Sequence, residues 1–576
     1  MNRSSPFPGT IRARVHAGAI DRVTRFYANR LSEIFCELLQ NGRRSHATRI
    51  DVITHAVPEL GNRITITDNG DGIADPALLL SFGQSGWDDG TARREDPAGM
   101  GLYALSREGC TVASRPRAAN DAKLLPGWGA TLSPDAFLGK EDVPIRECDT
   151  PFRHGTSISF ITHYSLDNIQ AELHAAARHY PLAVTFNDSF VDQEHFLHDA
   201  LHRETWQGIE FGVFKDKLRG FHAPDLNFHG LTLAIQLPTV SMIDGETWTA
   251  RADVRSCPDL ELVLPARKEA VESPFLQQMR DAAQNTIYRA IAISSPTPRI
   301  AHKDQKAAAR AGIDIPDAPA ELRRWRPNIA DTNDWRDLPR FAPVGTDSIV
   351  VAADLHAPDA QTFARAAERA ELNQNLFEAD NRLAGYDWYD ALAMVHSVSF
   401  HVTYGDSTHP LDALRDGTET PPTAGIEQRP DAIDVRLPIQ RGPVPVRCLS
   451  IPADLAFFAD EYCELQDTTP LVTATSNIQP HVFAQIMANC FFYPSDDCEA
   501  DSYETQRTRF NDDAMLLALR LLASEDEAKK HTIAETISRE VLWAVPRDRE
   551  VRITVNDRRV DIQFGPASTT TEGTTA

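Results

Sequence analysis

Glu37-Leu38-Leu39-Gln40-Asn41, and after it Asp68-Asn69-Gly70-Asp71-Gly72-Ile73, are the stretches on which the fold of this chain turns. Glu37 and Asn41 are four residues apart, so on a helix they share one face. The surrounding segment 20–41 carries Val23, Tyr27, Ile34, Phe35 and Leu38 near helical spacing and predicts an amphipathic helix. A carboxylate and an amide on one face can divide two linked tasks. The carboxylate takes a proton from water, and the amide oxygen ligates Mg2+, a hard cation that prefers oxygen. On its own the pair is equally well a solvated polar face. The second stretch follows the predicted strands Arg49–Thr54 and Arg63–Thr67. Its glycines allow a tight turn and close approach of backbone to a ligand. The Asp68 carboxylate can accept from an adenine amino group. Read plainly, the stretch is a β-turn or an acidic calcium-type loop, and the absence of a downstream Glu at the right distance argues against an EF-hand.

Outward from these, a short helix opens at Pro76, and 83–99 reads as a loop rich in Gly and Asp. Gly99-Met100-Gly101-Leu102 then opens a helix expected over Gly101–Arg107. Glycines ahead of a helix N-terminus leave backbone N–H groups free to hold phosphate. A strand at Thr111–Ser114 follows, and His154-Gly155-Thr156 leads into a last strand, Ser157–Thr162, placing a hydroxyl at a strand edge.

In this order the pieces resemble the GHKL (Bergerat-fold) ATPases, the superfamily of DNA gyrase B, the heat-shock chaperone, histidine kinases and MutL. ELLQNGRRSHATRIDV over 37–52 is similar to the MutL-type pattern ELVxNSxDAGATxIxV without a gap. DNGDGI resembles the adenine-binding DNGxGI, GMGL the glycine motif of the lid in its histidine-kinase form, and Gly155-Thr156 the late Gly-Thr of the adenine pocket. The resemblance spans about residues 20–165. It implies ATP and Mg2+ as ligands, Glu37 as general base and Asn41 as Mg2+ ligand. It further implies Asp68 as adenine acceptor, with Gly70, Gly72, Ile73, Gly99, Met100, Gly101, Leu102 and Thr156 around the nucleotide. One departure stands out: Arg44 occupies the position of a family Asp. Leu264-Pro265-Ala266-Arg267-Lys268-Glu269-Ala270-Val271 is similar to the HPxKxEV segment in which MutL-type transducer domains carry a lysine for the γ-phosphate. That implies a catalytic role for Lys268. The plain reading is a charged turn before a helix, and which of Arg267 and Lys268 points inward is left open.

The expected architecture is α+β: a Bergerat α/β sandwich over 1–165, a transducer-like α/β domain over 166–295, a linker over 296–346, a mixed α/β region of unknown role over 347–566, and a low-complexity tail over 567–576. In the second region Leu182–Phe186, Leu231–Leu237 and Leu260–Leu264 read as strands and Phe275–Ile293 as a long helix. In the third, SIVVAAD reads as a strand, 359–383, 452–465 and 511–543 as helices, and 415–430 as a loop. Asp354-Leu355-His356-Ala357 lacks the rest of a MutL endonuclease motif, and His396, His401 and His409 have no metal spacing with a Cys.

Composition bounds the function. With 42% hydrophobic and 24% charged residues the chain is ordinary globular material. A net charge of −24 argues against a general nucleic-acid coat, although residues 1–50 hold nine Arg against Asp21, Glu33 and Glu37. Eight scattered cysteines without a CxxC pair suit reduced thiols. The sequence shows neither a signal core nor a membrane span, so a cytoplasmic protein is expected, one that forms an ATP-dependent homodimer and acts on a client, DNA or protein, that the sequence does not identify. A histidine-kinase-like protein would need a helical hairpin ahead of the first helix, and about 20 residues are too few for one. A nucleotide-sensing regulatory or interaction protein would have no use for the Glu37 base. A type II topoisomerase would need an acidic DxD cluster that is not evident downstream.

Overall fold

The computed structural model describes residues 30–81, 101–119, 123–216, 224–263, 269–330, 341–419, 429–459, 464–545, 549–557 and 559–567. The chain forms two compact units, Met1–Pro319 and Ala320–Ala576.

Among the described residues the first element is helix α1, Leu31–Arg44, which buries Leu31, Ile34, Phe35, Leu38 and Leu39. It runs past Asn41 because Gly42 fits closely over the Ile50 side chain and Asp68 Cβ, where a side chain would collide. Arg43 and Arg44 stand in its last turn, where cations complement the helix dipole. The part of this helix expected before residue 30 lies outside the described residues. Strands β1 (Arg49–Val57), β2 (Gly61–Asp68), β3 (Cys110–Arg115), β4 (Gly127–Leu132), β5 (Arg146–Cys148) and β6 (Gly155–Thr162) follow, with a one-turn helix α2 at Pro134–Phe137. The sheet continues past residue 165. Helix α3 (Leu166–Ala177) returns the chain so that β7 (Ala183–Phe186) pairs parallel to β1, and β8 (Ser189–Phe190) closes the edge. The order is β5-β4-β3-β6-β2-β1-β7-β8. Its core reaches from Leu31 to Val191 and includes Ile169, Leu173 and Val184, all fully buried. Sheet on one side and α1 with α3 on the other make the two-layer α+β sandwich. The helix expected at Gly101–Arg107 is a 3-10 helix, Gly101–Leu105, whose Leu102 to Leu105 are buried. The Pro76 helix is likewise 3-10, with Asp75 capping Ala77 N.

Strands β9 (His202–Trp206), β10 (Ile209–Asp216), β11 (Leu226–Phe228), β12 (Leu231–Leu233), β13 (Thr239–Ser241) and β14 (Thr247–Val254) form a second sheet, ordered β12-β11-β14-β10-β9 with β13 beside β14. Helix α4, Pro274–Ser294, lies on it, started by Ser273 accepting from Leu276 N and by Pro274 in the first turn. Two strands expected here fall short. Leu231–Leu237 ends at Leu233, since Leu237 N turns back to Ile235 O. Leu260–Leu264 reduces to a single bridge, Leu262 with Ala270. In the stretch read as a linker, helix α5 (His302–Arg310) and Ile300, Ala308, Ile313 and Ile315 pack into this same core.

In the second unit, β15 (Glu321–Arg323) pairs β16 (Phe341–Pro343). A seven-stranded sheet is built from β17 (Ile349–Val351), β18 (Leu376–Glu378), β19 (Ala393–Val395), β20 (Ser399–Tyr404), β21 (Ser407–Pro410), β22 (Ala432–Arg441) and β23 (Val444–Ala453). Helix α6 (Ala357–Arg369) stops well short of 383. Glu371 turns left-handed at φ 56°, and the chain goes on as β18. Short helices α7 (Asp387–Asp390) and α8 (Leu411–Arg415) follow. The helix expected over 452–465 is instead the end of β23 and then β24 (Leu455–Phe458), paired with β25 (Thr469–Val472). The buried Asp454 between them takes Arg365, Arg369 and Ser476 as partners, and these fix that corner as strand. After α9 (Pro480–Phe491), the helix expected over 511–543 divides into α10 (Tyr503–Leu522) and α11 (Glu525–Glu540), because Ser524 caps a new helix by accepting from Glu527 N. A hairpin, β26 (Arg549–Asn556) and β27 (Arg559–Ala567), ends the described chain. Among the described residues no helix is long and apolar enough to cross a membrane.

Candidate nucleotide site

Strand phase places the site. Ile64, Ile66 and Asp68 share one face of β2, as residues two apart must. So do Cys110, Val112 and Ser114 on β3. Pairing sets Ile50 opposite Asp68, Asp68 opposite Thr156, Thr156 opposite Ser114, and Ser114 opposite Trp128. One row thus crosses five strands on the face that α1 covers. It is apolar at Ile50, polar at Asp68, Thr156 and Ser114, and aromatic at Trp128. Three polar side chains in the inward phase of a sheet are costly unless paired. Here they are paired: the Ser114 hydroxyl lies 3.0 Å from that of Thr156 and donates to Gly155 O, while Ile73 N donates to Ser114 Oγ at 2.8 Å. Trp128 Nε1 donates to Ile73 O at 2.8 Å.

The turn after β2 is held on all sides. Gly70 N and Ser45 Oγ both donate to Asp68 Oδ1, at 2.8 and 3.2 Å. Asn69 Oδ1 accepts from Thr48 N and Arg49 N, so Asn69 ties the turn to the start of β1. Asp71 stands at the rim against His46 and Arg117. His154 Nδ1 lies 2.8 Å from Gly70 O. A Cβ on Gly70 would fall 1.9 Å from Ser45 Oγ, which explains the glycine. Burial pushes the Asp68 carboxyl from 3.8 up to about 6, against the opposing pull of Gly70 N–H and the Ser45 hydroxyl.

That shift has a sign that can be tested. Between about pH 4 and 6 folded Asp68 keeps a proton that the unfolded chain has lost. Stability therefore falls as pH rises through this window, and the cost is fully present above about 6. Asp68→Asn keeps the Oδ1 acceptor and removes the charge. Its melting temperature relative to wild type, without nucleotide, is expected to rise from pH 4 to pH 7. Thermal unfolding across that range checks it, and a difference that shrinks with pH overturns it.

On α1, Glu37 and Asn41 meet the backbone of Gly101. A Cβ on Gly101 would lie 2.8 Å from Glu37 Oε2 and 3.3 Å from Asn41 Nδ2, so the backbone at residue 101 rests against both. Arg44, buried at the end of α1, extends NH1 to 3.4 Å from Asn41 Oδ1. The Leu102 side chain belongs to the core. Gly72 takes φ +68° hard against Arg115 O. The structure therefore brings Glu37, Asn41 and Gly101 together, and separately Asp68, Gly70, Gly72, Ile73 and Thr156. Gly99, Met100, Lys268, Arg267 and the whole 83–99 loop lie outside the described residues. Sequence reasoning missed Ser45 and Ser114. The signal for Ser114 was its position in the inward phase of β3. Ser45 carried none, since it reaches Asp68 from the far end of a helix.

Elsewhere in the first unit His195, Glu210 and Asp253 converge with ligand atoms within 4.8 Å of one another. The Arg255 guanidinium already reaches all three, at 2.7, 3.1 and 3.0 Å, so a cationic side chain fills that centre. Burial pushes the thiols of Cys36 and Cys110 up to about 12, which makes them inert.

Residues 27–114 match the family model of the histidine kinase-, DNA gyrase B-, and HSP90-like ATPase. Among solved structures the chain is similar to the crystal structure of the N-terminal domain of a DNA repair protein, with 14% identity and a TM-score of 0.20, over 30% of this chain and 54% of that one. The chain thus spans about half the length of that structure. No curated protein matches it.

Proposed function

We infer, from a first domain whose residues 27–114 belong to the GHKL superfamily of histidine kinase-, DNA gyrase B- and HSP90-like ATPases, that this protein binds ATP and hydrolyses it with Mg2+ to drive a cycle of conformational change or dimerisation. The observation that carries the reading is the placement of the Gly101 backbone on Glu37 and Asn41. A carboxylate, a side-chain amide and glycine backbone meet there at one point, and the same domain holds a buried carboxylate, Asp68, suited to read a base.

In this reading Asp68 accepts from the adenine amino group, with Thr156 and Ser114 supplying hydroxyls beside it and Ile73 apolar surface. Glu37 takes the proton of the attacking water, the ordinary work of a positioned carboxylate. Asn41 Oδ1 fits a hard cation. Its contact with Arg44 is long, and an amide oxygen has a second lone pair. Mg2+, when bound, neutralises charge on the phosphates. The Arg44 guanidinium, in place of the family carboxylate, adds fixed positive charge at the end of α1.

The family resemblance adds Gly99 and Met100 to the phosphate cradle and Lys268 at the γ-phosphate, all three outside the described residues. Electrostatic clamps of that type act mainly on the transition state. Lys268→Ala is expected to lower kcat more than it weakens ATP binding and to blunt compaction or association with a non-hydrolysable analogue. Arg267→Ala is the companion, since the sequence leaves open which of the two neighbouring cations points inward. Phosphate release, calorimetric ATP binding and light scattering on wild type and both variants test the reading. Absence of ATP binding by the wild type sinks the ATPase reading, and wild-type behaviour of both variants removes only the role of 264–271.

A further inference from the structure

We propose that Gln40 is a positioning residue that ties the helix bearing Glu37 and Asn41 to the second domain of the first unit, so that the general base is aligned only while that domain is docked. The proposal rests on the ATPase reading above. Gln40 is buried, 5% exposed, in the middle of α1. Its Nε2 donates to His229 O at 2.7 Å, across 189 residues of sequence. Its Oε1 lies at the limit of reach of Arg43, 3.5 Å away.

The acceptor is no free loop. His229 and Gly230 form the tight turn between β11 and β12, both at left-handed φ, +54° and +100°. Asn227 holds that turn from inside. Its Oδ1 accepts from Gly230 N, and its Nδ2 donates to Asp253 Oδ1, both at 2.8 Å, and more weakly to His179 O. A Cβ on Gly230 would lie 2.9 Å from Tyr180 Cα, so the turn sits directly on Tyr180. The Tyr180 hydroxyl in turn donates to Leu39 O at 2.7 Å.

Two successive residues of α1, Leu39 by its carbonyl and Gln40 by its side chain, are therefore gripped by one assembly made of Tyr180 and the 227–230 turn. Gln40 stands between Glu37 and Asn41 in the helix. Any movement of the turn is passed to the helix by hydrogen bonds that hold or break, and Glu37 shifts with it. A displacement of about 1 Å at a reacting group can cost about 100-fold in rate. The turn belongs to the sheet that carries α4, so a rearrangement of the second domain reaches the base without any contact with nucleotide.

Gln40→Met keeps length and bulk and removes both amide groups. Its kcat is expected to fall at least about tenfold, with the ATP dissociation constant within about threefold of wild type. Hydrogen exchange supplies a readout that a structural role would leave unmoved. In wild type a non-hydrolysable ATP analogue is expected to protect both 37–44 and 226–233, and in Gln40→Met only the first. Asn227→Ala, which releases the 229–230 turn from inside without touching α1, carries the same readouts should Gln40→Met not fold. Wild-type kcat together with undiminished protection of 226–233 in the variant overturns the coupling and leaves the ATPase reading standing. Failure of the wild type to bind ATP overturns both.

Discussion

Replacing Glu37 with alanine is expected to slow steady-state ATP hydrolysis by about 10²–10⁴-fold, the usual loss on removal of a general base, while ATP affinity stays within a few-fold. The reason lies in how little else Glu37 does. It projects from the half-buried side of α1, and the helix core is made by Leu31, Ile34, Phe35, Leu38 and Leu39. Its Oε2 lies against the backbone of Gly101, where phosphate is expected. Fold and adenine contacts are then left intact, and only the step that deprotonates water is lost. Phosphate release at saturating ATP and Mg2+, beside calorimetric binding, separates the two. Turnover within a few-fold of wild type would show that some other group is the base. An equal loss of binding would show that Glu37 holds the ligand rather than acting on water.

Gly72→Ala is expected to destabilise the first domain strongly. Gly72 has φ +68°, and its added Cβ would fall 2.2 Å from Arg115 O and 2.7 Å from Arg115 C. Neither atom can withdraw. Arg115 ends β3, paired to Gly155 of β6, and its guanidinium is tied to Phe152 O and Asp149. Left-handed strain and backbone overlap together are expected to cost about 3 kcal/mol or more, a fall of roughly 6–12 °C for a cooperative unit of about 150–250 residues. Gly139→Ala is the control. It has the same φ, +68°, with nothing within 4 Å of the new methyl, so it bears the strain alone, about 1–2 kcal/mol. Similar melting temperatures for the two variants would show that the turn at 72 yields, and that the glycine is not required by packing.

The elements around the site were legible because each obeys a local rule. Helix and strand periods, the Pro76 start and the turn glycines read directly from residues 31–80 and 155–162. Elements decided by distant partners were not legible. The segment 452–465 has apolar residues at helical spacing, yet Asp454 holds its start, through Phe458, as strand by way of arginines on α6. The 359–383 stretch stops as helix where β18 finds a parallel partner in β17. The long helix over 511–543 breaks at Ser524, whose capping bond outweighs continuation.

By itself the sequence determined the ATPase-like order of motifs, the shared helix face of Glu37 and Asn41, and the places where only glycine serves, because these depend on residue type and short spacing. The tertiary structure alone decided which polar groups stand beside Asp68, how close Gly101 lies to Glu37, and that Gln40 grips a turn 189 residues away. Those follow from sheet register and from side chains that reach across domains. Local spacing carries no record of either, because the bond that selects them forms only when distant segments pack and leave a buried polar group one place to go.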